Sequence, residues 1–204
     1  MSSDLSRRER KKAESRERMV ACAAALFAAR GYDATTMEDI GQCADLSRAT
    51  VFNYFPRKED LVVAWFDGHR ADIAGLVAAS EELRDDPTSG LRAVFRAFAH
   101  IFEEDPRIGR GMVRSWLQAG GPLLTPESGT TRLLAGVVRA GQERGGIARE
   151  VEPDRAGLVL FDVYLGVLYR WVTAEHDRSN LEEELVAALD LVLEGMTPTA
   201  GGRA

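Results

Sequence analysis

The sequence predicts an all-α fold. Apolar residues recur at intervals of three and four along most of the chain, and nowhere alternate with the period of two that marks a half-buried strand. Caps and breakers punctuate that pattern. Thr36 and Ser47 precede two short periodic runs, while Pro56, Pro106, Gly120-Gly121-Pro122, Gly145-Gly146 and Pro153 separate longer ones. Hydrophobic residues make up 45% of the 204, enough to bury a substantial core.

The first helix is expected from Glu14 to Arg30, with Met19, Ala23, Leu26 and Phe27 as its inner stripe and Gly31 as its end. A second begins after Thr36, where Glu38 and Asp39 suit the positive end of the helix dipole and Met37, Ile40 and Ala44 face inward. Asp45 and Leu46 break it, Asp45 being tolerant of a left-handed backbone. Ser47 caps the third helix, whose inner face is Val51 and Phe55 and which Pro56 stops. From Lys58 a long helix is expected to run to about Leu83, halted by Asp85-Asp86-Pro87. Further helices are placed near 88–104, 106–119, 126–144, 153–176 and 180–196.

Two short capped helices joined by a tight turn form the arrangement that a helix-turn-helix reader of DNA requires. The outer face of the second carries Arg48, Ala49 and Asn53, with Thr50 at its margin. Arg can bridge two acceptors on guanine, Asn can pair with adenine, and Ala or a Thr methyl can touch thymine. Tyr54 and Lys58 are placed for phosphate contacts, and Thr36 is expected to touch DNA as well; Arg7, Arg8, Arg10, Lys11 and Lys12 in the basic amino-terminal stretch suit a minor-groove or phosphate contact and at least equally a solvated tail. The alternative is a helical hairpin of an ordinary all-α protein. An Arg, Ala, Thr and Asn face is unlike the Glu and Lys mixture that usually solubilises a helix, which favours the DNA reading.

Gly31-Tyr32, Thr35-Thr36, Ile40, Ala44, Ser47, Thr50-Val51, Tyr54-Phe55 and Lys58-Glu59-Asp60-Leu61 together resemble the DNA-binding signature of the tetracycline-repressor-like (TetR) family, over roughly residues 14 to 65. The resemblance implies a three-helix reading head joined by a long helix to an α-helical body that binds a ligand and dimerises. It also implies a one-component regulator, usually a repressor, released by a small molecule. Asp45, Gly41, Ala49 and Phe52 depart from the residues most frequent in that family. Phe52 in particular lacks the hydroxyl with which a Tyr could bond phosphate. The expected division is a disordered basic arm at 1–12, the head at 13–65, the body at 66–197 and a frayed tail at 198–204.

The segment from Ala156 to Trp171 is apolar nearly all round, so it must be covered on several sides. The last helix offers a second apolar face. These two are expected to pair with their copies across a two-fold axis through Leu160, Tyr164, Val167, Trp171, Leu185, Leu189 and Val192, so that two heads read a near-palindrome. Phe95, Phe98, Phe102, Met112, Trp116, Leu134, Val137, Phe161, Tyr164 and Leu168 are candidates for the lining of a ligand cavity; each is also suited to plain core. The hydrophobic lining suggests an apolar or amphipathic effector.

The net charge of −6 is unevenly spread. Residues 1–65 hold 11 Lys and Arg against 10 Asp and Glu, whereas residues 66–204 hold 15 against 22. A near-neutral head before an acidic body fits a site-specific binder and argues against a nonspecific coat, which needs a broad basic face. No run approaches the roughly 20 apolar residues of a membrane span and no signal-peptide core follows the charged amino end, so a cytoplasmic protein is expected. Cys22 and Cys43 match no metal spacing; small buried hydrophobes is the favoured reading over a redox switch. His69, His100 and His176 are scattered and Ser115 lacks a nucleophile-elbow context, so neither an enzyme nor a cofactor is expected.

Overall fold

A computed structural model of the chain describes residues 7–79, 88–120, 129–174 and 180–196. Among the described residues all regular structure is helical: α1 (Arg7–Arg30), α2 (Met37–Cys43), α3 (Arg48–Tyr54), α4 (Lys58–Ala79), α5 (Ser89–Glu103), α6 (Pro106–Gln118), α7 (Gly129–Glu143), α8 (Pro153–Thr173) and α9 (Leu181–Met196). Residues 1–6 of the expected arm, the stops near 85–87 and 121–122, and the tail after Met196 lie outside the described residues.

Helix α1 starts seven residues before the expected Glu14, so residues 7–12 are helical rather than a disordered arm. Arg, Lys and Glu are good helix formers, and Glu9 in the first turn suits the helix dipole, so charge there does not oppose the helix.

The chain divides into two compact units. The first runs to Gly68 and also contains α6, a departure from the expected body of 66–197. Its core is Met19, Ala23 and Phe27 of α1, Ile40, Val51, Phe55, and Leu61, Val62 and Trp65 of α4. Helix α6 lies against α1 at a crossing that only glycine permits: a Cβ on Gly111 would sit 2.7 Å from the Ala28 Cα. Asp105 caps α6, accepting from the Arg107 and Ile108 amides, and Pro106 occupies the first turn where a missing N–H costs nothing.

The second unit holds the remainder of α4 with α5, α7, α8 and α9. Helix α8 packs on α7 and α9. At Gly157 it approaches the α7 backbone so closely that a Cβ would meet the Thr131 carbonyl oxygen at 2.8 Å. Among the described residues one helix, α8, is long and apolar enough to cross a membrane, contrary to the expectation that no run comes near; half of its apolar stretch is buried against its own chain, as for a core helix. Helix α9 is tied to α5 twice. Glu103 accepts from the Leu181 amide at 2.7 Å, adding to the cap that Asn180 gives α9 by accepting from the Glu183 amide, and Arg92 pairs with Asp190 at 2.8 Å.

Candidate nucleic-acid interface

Helix α2 is entered through a capping box. The Thr36 hydroxyl accepts from the Asp39 amide at 3.1 Å while the Asp39 carboxylate accepts from the Thr36 amide at 2.9 Å. The same carboxylate accepts a hydrogen bond from the Thr36 hydroxyl at 2.7 Å, and these hydrogen bonds hold the Asp39 carboxyl below the usual carboxylate range. Thr36 is therefore primarily a cap; its hydroxyl is already committed.

Asp45 adopts φ 55° as expected, and the Leu46 amide donates back to the Gly41 carbonyl at 2.8 Å. This turn is tight enough that a Cβ on Gly41 would lie 2.9 Å from the Leu46 carbonyl oxygen and 3.3 Å from Val51. Glycine at 41, a departure from the family's usual residue, belongs to this turn's close approach. Ser47 caps α3, accepting from the Thr50 amide at 3.1 Å.

Once α3 is fixed by that cap and by the burial of Val51 and Phe55, its opposite face is decided by the helical period. Arg48, Ala49 and Asn53 are exposed on it, with Thr50 and Tyr54 half-buried at its margins. The Thr50 hydroxyl shares a hydrogen bond of 2.8 Å with Ser47. The Arg48 guanidinium carbon stands 5.4 Å from the centre of the exposed Phe52 ring, a pairing that the sequence reading did not anticipate. Arg16, on the exposed side of α1, similarly lies 5.2 Å from the Phe55 ring centre.

Lys58 has protein partners of its own. Its ammonium group donates to the Tyr32 carbonyl at 2.5 Å and the Thr35 carbonyl at 3.0 Å and lies 4.1 Å from the Tyr32 ring centre. Two of its three N–H donors thus hold the α1–α2 connection together. The exposed cation beside it is Arg57, whose guanidinium is bonded by Asp60 and Glu59.

Of the cavity candidates, Met112 and Trp116 sit on α6 in the first unit, whereas the other eight belong to the second. Trp116 instead faces Phe66, with ring centres 6.4 Å apart. Phe95, Phe98, Phe161 and Tyr164 form one aromatic cluster in the second unit, Phe98 and Tyr164 being 4.7 Å apart, and Phe102 meets Trp171 at 6.2 Å. Leu134, Val137 and Leu168 are buried in the same unit. Burial pushes the Tyr164 phenol far above its ordinary pKa, so it stays neutral. A separate surface hollow of about 250 Å³ lies at the start of α8, lined by Val151, Glu152, Arg155, Ala156, Val159 and Val192.

The expected pairing residues are also corrected. Leu160, Tyr164, Val167, Trp171, Leu185 and Leu189 are all buried within their own chain, leaving only Val192 partly open. The strongest apolar stripe of an amphipathic helix is taken by the monomer's own core. Val159 and Tyr169 of α8 and Leu191 of α9 are the large apolar side chains that remain outside, 45%, 57% and 73% exposed.

A helix-turn-helix whose second helix presents Arg, Ala, Thr and Asn outward defines the class: a DNA-binding protein with an all-helical second unit. Residues 20–65 match the family described as bacterial regulatory proteins, tetR family. The chain is 28% identical over 175 residues to the HTH-type transcriptional regulator TtgR of Pseudomonas putida, covering 78% of this chain and 80% of that protein. It is 28% identical to the TetR-family transcriptional repressor FadR of Thermus thermophilus, solved in complex with lauroyl-CoA, with a TM-score of 0.65 over 93% of this chain and 98% of that one. A TetR-family regulator from Pectobacterium atrosepticum shares the fold with a TM-score of 0.70 at 23% identity, over 98% of this chain and all of that one. The match at residues 20–65, together with relatives and structural neighbours that are transcriptional regulators, indicates a transcriptional regulator of the TetR family.

Proposed function

We propose that the protein is a homodimeric repressor that binds a near-palindromic operator and is released by a small apolar or amphipathic ligand. The observation that carries the reading is α3: capped by Ser47, anchored by Val51 and Phe55, and open at Arg48, Ala49 and Asn53. These are the side chains that reach base edges in a major groove, while Thr50 and Tyr54 flank them for methyl and phosphate contacts. Such a protein works beside the chromosome, in the cytoplasm.

A second copy is the occupant proposed for the exposed apolar side chains Val159, Tyr169 and Leu191, on two helices that already pack side by side. Their copies complete a four-helix contact and put two heads on half-sites about one helical turn apart. The aromatic cluster around Tyr164 supports an apolar effector, and the acyl-CoA bound by the Thermus relative is a chemically compatible precedent. Release is modest in energy, since losing two base contacts per head at about 1–3 kcal/mol each empties the operator. The signal passes along α4, which carries residues of both units.

The test is selection of genomic fragments by purified protein at physiological salt, then footprinting. An inverted repeat protected on two adjacent major-groove faces is the expected result; enrichment no better than random fragments overturns it.

A further inference from the structure

Cys22 and Cys43 are joined in a disulfide, with Cα atoms 5.9 Å apart. Cys22 is half-buried in the middle of α1, and Cys43 is exposed at the last residue of α2. The sequence reading favoured buried hydrophobes; the geometry places both sulfurs where two elements of the reading head meet, one of them open to solvent.

Helix α2 is lightly held. With seven residues it is too short to stand alone, and it buries only Ile40 and Gly41 along its length. Besides the packing of Ile40, it is tied to α1 by the Arg30–Asp39 pair at 3.5 Å, with the arginine 57% exposed, which is weak by nature. The link also sits just before the turn at Asp45 and the Ser47 cap, the residues that aim α3.

We propose that Cys22 and Cys43 are a reversible dithiol–disulfide modification site whose oxidised state fastens α2 to α1 in the DNA-reading arrangement. The first half stands on the geometry alone. The second rests on the DNA-binding reading, which places the protein in a compartment where thiols are normally kept reduced and a disulfide is a signal rather than a scaffold.

The oxidant is a low-molecular-weight disulfide, which exposed Cys43 can meet. The Cys43 thiolate attacks one sulfur of that disulfide and expels one thiolate, leaving a mixed disulfide. The Cys22 thiolate then attacks Cys43 Sγ and expels the second. Two protein thiols are oxidised to one cystine, one small disulfide is reduced to two thiols, and the two protons leave with them. Excess small thiol reverses both steps.

The test uses the full chain equilibrated across ratios of reduced to oxidised glutathione, quenched by alkylation and weighed. The expected result is two alkylated cysteines at the reducing limit and none at the oxidising limit, without cross-linked chains on a non-reducing gel. Two alkylatable thiols throughout, or disulfides between chains, overturn the site. Oxidised protein is further expected to melt several degrees above reduced protein and to bind its operator about three- to tenfold tighter, because a larger fraction of heads is ordered. Cys22→Ser and Cys43→Ser should behave as reduced protein at every ratio; reduced wild-type protein serves the same comparison should either variant fail to fold. Equal melting and equal affinity in both states overturn the fastening role. No DNA binding in either state overturns the regulator reading instead, and the thiol count still decides the site.

Discussion

The ammonium of Lys58, at the start of α4, reaches back 26 residues to the carbonyl oxygen of Tyr32, 2.5 Å away, and lies over the Tyr32 ring. Two carbonyls at the α1–α2 connection thereby gain a charged donor, and the turn that orients Thr36 is tied to the helix leaving the head. Lys58→Ala is expected to cost about 1.5–3 kcal/mol of stability, the worth of hydrogen bonds to a charged group. The loss would show in thermal melting without DNA. Unchanged melting together with a flatter salt dependence of DNA binding would return Lys58 to the phosphate-contact role.

Base reading rests on Arg48 and Asn53, both exposed on α3. Asn53→Ala is expected to cost about 1–3 kcal/mol at the operator and to relax preference at one position in each half-site. Arg48→Ala should do the same at a second position, with the exposed Phe52 ring losing its cation. Affinities across a panel of single-base operator variants are the measurement. A uniform loss on all variants would make these residues backbone contacts.

Local signals made the head legible. Thr36, Ser47, Asp45 and Pro56 each act on the chain within a few residues of themselves, and the structure places caps, left-handed turn and helix end accordingly. The partners of Lys58 are not legible in the same way, because they lie 23 and 26 residues away, beyond any local pattern. Membership of a unit is likewise non-local: nothing in Met112 or Trp116 says that α6 packs on α1, although Gly111, the residue that allows that crossing, stands beside Met112. Periodicity found the buried stripes of α8 and α9 but could not say whether the same chain or a copy covers them.

That last ambiguity yields a paired prediction. Leu191→Glu, at a side chain 73% exposed, should dissociate the dimer and abolish operator binding while leaving the melting of the monomer within about 0.5 kcal/mol of wild type. Leu189→Ala, at a fully buried neighbour, should instead cost about 2–5 kcal/mol of folding stability. Sedimentation and denaturant unfolding separate the two. A Leu191→Glu protein that still sediments as a dimer would move the pairing face elsewhere.

His69 on α4 supplies a pH dependence. Burial of its ring outweighs the nearby Asp72 and Glu104 carboxylates and holds its pKa below the ordinary 6.5, so the folded chain favours neutral imidazole. As pH falls through about 6.5 the unfolded chain takes up this proton first, and stability therefore decreases with acidification from there down to the lower folded pKa. The Asp39 and Asp105 carboxyls are held below 3.8 by hydrogen bonds from Thr36 and Arg107, so their contributions are lost only in more acid solution and leave the window between pH 7 and about 5 to the imidazole. His69→Gln keeps a polar side chain of similar size without the titration. Urea midpoints at pH 7 and pH 5 should converge more closely for His69→Gln than for wild type; equal losses in the two proteins would mean that His69 is solvated in the folded chain.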